Sequence, residues 1–305
     1  MASSYCFFKG KIIPLEEAKV GVMTHALHYG TAVFEGIRGN WNEDKGQIYI
    51  FRLREHYQRL MNGCKLLNIN LPYSVDNLCE ITVEVLKKSQ IKEDTYIRPL
   101  AYKSSETMGV RLHNLDNDFL VFAIPFGAYL DMDTARCCVS SWHRPPDNVV
   151  PPQAKATGIY LNNALCKTEA MSNGFDEGIM LSPDGYVSEG SGENIFLVMD
   201  GKLITPSVAN SVLNGITRNT IIELAKNELG METQQRTITR YELYTADECF
   251  LSGTAAHVTP VSEIDRRKLG NGEVGEKTAA LRKLYFEVIR GQNKKYLHWC
   301  TPVFD

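Results

Sequence analysis

Residues 179–204 read IMLSPDGYVSEGSGENIFLVMDGKLI, and the parsing of this stretch decides the fold. Two apolar segments, Ile179–Leu181 and Tyr186–Val187, flank Ser182-Pro183-Asp184-Gly185. A second pair folds back at Asp200-Gly201, between Ile195 and Ile204. Asp-Gly is a strong hairpin signal, because glycine takes the positive φ that a tight turn demands. Between the hairpins lies Glu189-Gly190-Ser191-Gly192-Glu193-Asn194, which invites a dinucleotide-loop reading. That reading fails twice: Ile195 stands where a third glycine is needed, and the segment leads into a strand instead of a helix. Hairpin-joined strands with helices added make an α+β protein, not a doubly wound parallel sheet.

Working outward, Phe7 to Ile13 turns at Lys9-Gly10 as a short hairpin. Apolar spacing predicts helices over 55–67, 75–88 (with Pro72 and Ser74 as start signals), 159–173, 216–229 and 276–290. Gly230 and Gly291 close the last two. Strands are predicted over 95–102 and 118–125. The pattern breaks at Phe126-Gly127-Ala128-Tyr129-Leu130-Asp131. A chain of 305 residues is long enough for two domains. We therefore expect a small N-terminal domain over 1–123, an interdomain loop over 124–134, and a larger C-terminal domain over 135–305.

A net charge of −3 argues against nucleic acid or an anionic membrane as a main partner. No apolar run approaches the roughly eighteen residues of a membrane span, and the start carries no signal-peptide stretch. Eight scattered cysteines without a Cys-x-x-Cys pair read as reduced, mostly buried thiols, which places the protein in the cytoplasm.

Three features carry chemistry. Lys155 sits between Ala154 and Ala156, after Pro151-Pro152. Asn214-Gly215-Ile216-Thr217-Arg218 opens a helix, so its free N–H groups form an anion site. Ser252-Gly253-Thr254-Ala255-Ala256 follows a strand and offers further small-residue donors. With acidic Glu189 before Gly190, they suggest a phosphorylated cofactor held beside a reactive amine. His25 and His28 lack acidic or thiol company and read as packing or hydrogen-bonding residues, so no metal is expected. No Gly-x-Ser-x-Gly elbow occurs.

Seven blocks in order give these features a family. They are His28-Tyr29-Gly30-Thr31-Ala32-Val33-Phe34-Glu35-Gly36-Ile37-Arg38, Tyr96-Ile97-Arg98-Pro99, Met108-Gly109-Val110, Ala154-Lys155-Ala156, Ser188 to Asn194, Gly215-Ile216-Thr217-Arg218, and Ser252 to Ala256. Over nearly its whole length the chain resembles the branched-chain amino acid aminotransferases of pyridoxal-phosphate fold type IV. The resemblance implies a two-domain, D-amino acid aminotransferase-like fold and reversible amino transfer between leucine, isoleucine or valine and 2-oxoglutarate, a reaction of branched-chain amino acid biosynthesis. Lys155 is then the lysine that forms a Schiff base with pyridoxal phosphate and shuttles the substrate proton. Glu189 is implied to meet the pyridine nitrogen, and Tyr160 the phenolic oxygen. Arg59, Ile216, Thr217 and Thr254 are implied to hold the phosphate, with Ser191, Gly192, Asn194, Gly215 and Gly253 in the surrounding cofactor loops.

Strand alternation puts Tyr96 and Arg98 on one face as a carboxylate receptor. The resemblance makes this pair what separates branched-chain enzymes from D-amino acid aminotransferases and aminodeoxychorismate lyases, the alternatives on the same fold. Phe34, Tyr29, Met108, Val110, Phe126 and Tyr129 are the implied apolar pocket, with Thr254 and Ala255 at the substrate carboxylate. Tyr29 and the 108–110 loop are implied to reach the partner subunit's site, hence a homodimer or a hexamer built from dimers. The chain departs from the family pattern at Ile159, Asn214 and Phe126.

Overall fold

A computed structural model describes residues 4–127 and 133–304. The chain divides into two compact units: residues 1–127 with Ala154–Gly158 and Glu287–Asp305, and residues 128–153 with Ile159–Phe286. Two segments that the sequence reading put in the C-terminal domain thus belong to the first unit. Long-range pairing is the cause. Val33 and Ala156 form an antiparallel bridge, and strand Cys300–Pro302 adds to the edge of strand Gln47–Phe51.

Among the described residues the first unit carries an eight-stranded antiparallel sheet. Its middle is the long pair Thr95–Lys103 and Asn117–Pro125, with Ile37–Asn42 and the short Ala32–Phe34 both pairing to the former. Helices Leu53–Leu66 and Val75–Ser89 run between the strands Gln47–Phe51 and Thr95–Lys103. Their buried stripes, including Leu60, Leu78, Val85 and Leu86, close a core with Ile37, Ile50, Ile97 and Phe119. Ser74 caps the second helix as its sequence suggests: its side chain accepts from Asn77 N–H, and the Asn77 side chain accepts from Ser74 N–H.

The second unit is a nine-stranded mixed sheet among the described residues. Both expected hairpins form, Glu177–Leu181 against Val187–Gly190 and Asn194–Met199 against Lys202–Pro206. Strand Ala135–Val139 pairs in parallel with Glu177–Leu181 and with His257–Ile264. The order runs from Val187–Gly190 at one end, through these strands and Glu248–Gly253, to Asn194–Met199, Lys202–Pro206 and Thr233–Arg236. Only residues 191–193 join the end strand Val187–Gly190 to Asn194–Met199, far across that order. Three residues span about 10 Å at most. The sheet therefore curls until that end strand approaches its middle, which concentrates Glu189 and the 190–194 turn beside Ser252 and Gly253. Its core is apolar, built from Ile179, Ile195, Leu197, Ile204, Leu251 and Val261 among others.

Candidate active site

In the first unit, Lys155 adopts a left-handed conformation with φ 50°. Its carbonyl accepts from Phe34 N–H at 3.3 Å, and Thr157 Oγ1 donates to Gly30 O at 2.9 Å. Gly63 makes room for this loop, since a Cβ there would come within 2.6 Å of Ala154 O. The Lys155 loop is thereby tied to strand Ala32–Phe34. Lys155 Nζ lies 5.0 Å from the Phe34 ring centroid, and Arg98 Cζ lies 4.7 Å from the same ring.

The alternation along Thr95–Lys103 does what the sequence implies: Arg98 donates to the Tyr96 hydroxyl at 2.9 Å. Gly36 leaves space for that phenol, because a Cβ there would clash with its hydroxyl and lie 3.0 Å from Tyr96 Cζ. The Phe126 ring packs 5.3 Å from Tyr96. Arg38 places Phe126 by donating to its carbonyl at 2.7 Å and to Gly127 O at 2.8 Å. Nothing in the block around Arg38 marks it for this role. Tyr129 lies outside the described residues.

Arg59 does not stand alone in the first unit. Its guanidinium grips Glu35 at 2.7 and 2.8 Å, and His56 Nδ1 is 2.7 Å from the same carboxylate. Burial opposes ionisation of Glu35, but the Arg59 and His56 partners outweigh it and hold its carboxyl far below the usual range. Burial also depresses the His56 ring, against the pull of Glu35. Glu35 and His56 were missed, since nothing local marks residues that meet across 21 positions.

Tyr29 and the 108–110 loop form one cluster. The Tyr29 hydroxyl accepts from Gly109 N–H at 3.2 Å and touches Met108 Sδ at 3.8 Å. His25 is hydrogen-bonded to Thr31 and to Gly109 O, and His28 to Val22 O, so both histidines do the bonding work expected of them. Val110 is 91% exposed.

In the second unit, the Glu189 carboxylate meets Arg144 Nε at 2.8 Å, Asn194 Nδ2 at 3.0 Å and Leu213 N–H at 3.0 Å. Arg144 is buried and also donates to Asn163, whose amide donates to Ser191 O. Arg144 and Asn163 were not anticipated. Helix Ile216–Leu229 begins at Gly215 with no side-chain cap, and a Cβ at Gly215 would collide with Asn194 Oδ1. Its first N–H groups, among them those of Ile216 and Thr217, point out of a helix end that lacks a capping side chain. Ser252 Oγ is buried with no hydrogen-bond partner among the described residues. Thr254 and Ala255 make the turn that follows Gly253, and Tyr160 opens helix Tyr160–Ser172 half-buried.

The family model for class IV aminotransferases matches residues 32–264. The chain belongs to the class IV aminotransferases. This aminotransferase is 51% identical over 302 residues to a probable branched-chain-amino-acid aminotransferase of Aquifex aeolicus, covering 99% of this chain and 97% of that one. Its fold matches the branched-chain aminotransferase of Thermoproteus uzoniensis, solved with norvaline, at a TM-score of 0.95 and 43% identity, covering 99% and 100% of the two chains. It matches the PLP form of the Thermobaculum terrenum enzyme equally well, with a TM-score of 0.95, 38% identity and full coverage of both chains. The aminotransferase therefore has the α+β fold type IV architecture and is a pyridoxal-phosphate-dependent transaminase.

Proposed function

We propose that this aminotransferase exchanges the amino group reversibly between leucine, isoleucine or valine and 2-oxoglutarate, with pyridoxal phosphate carried on Lys155. The observation that carries this reading is the shared Phe34 ring, which has the Lys155 amine and the Arg98 guanidinium on it. A reactive amine and a carboxylate receptor are thereby held within one side chain of each other.

The residues fit the cofactor. A phosphate suits the uncapped start of helix Ile216–Leu229, and the orphaned Ser252 hydroxyl offers a further polar contact in the second unit. In the first unit, Glu35 orients the Arg59 guanidinium, a group that suits an anion. Glu189, fixed by Arg144 and Asn194, supplies the negative charge for a protonated ring nitrogen. When bound, pyridoxal phosphate supplies an electron sink for the pair released at the substrate Cα. Lys155 Nζ takes the Cα proton and returns it. Tyr96 receives the α-carboxylate, and Phe34 walls the side chain.

The exposure of Val110, Val22 and Leu27 supports a homodimer, or a hexamer of dimers, in which the Tyr29 cluster serves the partner's pocket. The eight free cysteines support a reducing, cytoplasmic setting. Incubation with leucine and 2-oxoglutarate should yield glutamate; a protein that binds pyridoxal phosphate but makes none contradicts the reading.

A further inference from the structure

The turn after Glu189 rests on a second carboxyl. Glu193 is 4% exposed, and its Oε2 accepts one hydrogen bond among the described residues, from Gly192 N–H at 3.1 Å. Its carbonyl accepts from Gly190 N–H at 2.7 Å. The carboxyl lies so close to Gly190 that a Cβ there would come within 2.9 Å of Oε2. The glycine at 190 leaves room for this seat.

The cations near the turn already sit on other carboxylates. Lys167 Nζ is 2.7 Å from Glu177 Oε2, and the other Glu177 oxygen accepts from Gly178 N–H at 2.8 Å and Ser191 N–H at 3.3 Å. Arg144 is engaged by Glu189. The groups that face Glu193 are Glu177 on strand Glu177–Leu181, Lys167 on helix Tyr160–Ser172, Glu189 on strand Val187–Gly190 and the Cys137 thiol on strand Ala135–Val139. Two are carboxylates, and Lys167 and Arg144 each sit on one of these, so three carboxyls share two cations. An isolated buried carboxylate is costly, so such a group keeps its proton instead.

We propose that Glu193 is a positioning residue that works as a neutral carboxylic acid: it props the 190–194 turn so that Glu189 is presented without a rival negative charge behind it. Burial first, and the Glu177 charge second, push its carboxyl up to about 8. The inference rests on Glu189 being the cofactor's ring-nitrogen partner, and its test separates the two ideas.

The linkage sign is definite. The unfolded carboxyl ionises near 4.5 and the folded one near 8, so the parent loses stability relative to E193Q as pH rises between these values and no further above about 8. The Tm of E193Q minus that of the parent should therefore widen over that window and then stay level. Infrared difference spectra of the enzyme should show a carboxylic-acid carbonyl band at pH 7 that titrates near 8 and is missing in E193Q. E193A, which empties the seat, should bind pyridoxal phosphate about tenfold more weakly than E193Q, the worth of one buried hydrogen bond. A band absent at pH 7, or equal cofactor affinity in E193Q and E193A, overturns the proposal. Should E193A not fold, the infrared band and the Tm window in E193Q decide alone. E189Q should keep the band while slowing Cα deprotonation; parental rates in E189Q with the band intact would sink the Glu189 assignment and leave Glu193 a neutral acid.

Discussion

Arg98 and Tyr96, two residues apart on one strand, are joined by a 2.9 Å hydrogen bond from the guanidinium to the phenol. One transaminase pocket has to accept an apolar side chain in one half-reaction and a carboxylate in the other. Burial against Phe34 suffices for the first. The second needs a cation, and Arg98 lies beside the Tyr96 phenol and the Phe34 ring. Charge-assisted hydrogen bonds are worth roughly 1.5–3 kcal/mol, so Arg98→Met should lower kcat/KM for glutamate by about 10- to 150-fold while leucine suffers less. Single-substrate half-reactions measure this. Equal losses would assign Arg98 to the shared α-carboxylate.

Glu35 orients Arg59, and its replacement should be felt in folding as well as in cofactor binding. Glu35→Gln leaves a largely buried guanidinium without its carboxylate, a change that costs about 3 kcal/mol in comparable pairs. The Glu35 carboxyl is held below its ordinary value, near 4.5, in the folded protein. Its contribution is therefore complete above that pH and fades as pH falls toward the folded value. Urea unfolding of parent and variant should differ at pH 7 and converge in acid. A constant difference would mean the pair is not ionic.

Gly36 tests the space around Tyr96. Gly36→Ala places a methyl where the Tyr96 hydroxyl now sits. The phenol must turn away from Arg98, and one lost hydrogen bond corresponds to about a tenfold rise in KM for both substrates. Pyridoxal phosphate affinity should stay at the parental level. A fall in cofactor affinity as large as the rise in KM would show that the strand itself had shifted.

Local chemistry in the sequence revealed a good part of this molecule. Gly215 and Gly230 bracket the helix Ile216–Leu229 at the expected residues, because a helix start and a left-handed stop are written within a few positions. Tyr96 and Arg98 could be paired from alternation alone. Partners distant in the chain were out of reach. Lys155 is bound to strand Ala32–Phe34, more than a hundred positions earlier, and no periodicity records that. Arg144 reads as a loop arginine before two prolines, and only the curled sheet brings Glu189 to it. The same holds for Glu35, whose partners lie on the next helix. Composition marks a buried carboxylate no differently from an exposed one.

The central claim is that Lys155 carries the cofactor. Borohydride reduction of the yellow holoenzyme, followed by peptide mapping, tests it most directly, because reduction fixes pyridoxal phosphate to whichever amine bears it. We expect the label on the peptide containing Ala154-Lys155-Ala156, and we expect Lys155→Ala to take up none there and to lose most turnover. A label on any other lysine of the parent enzyme would contradict the account.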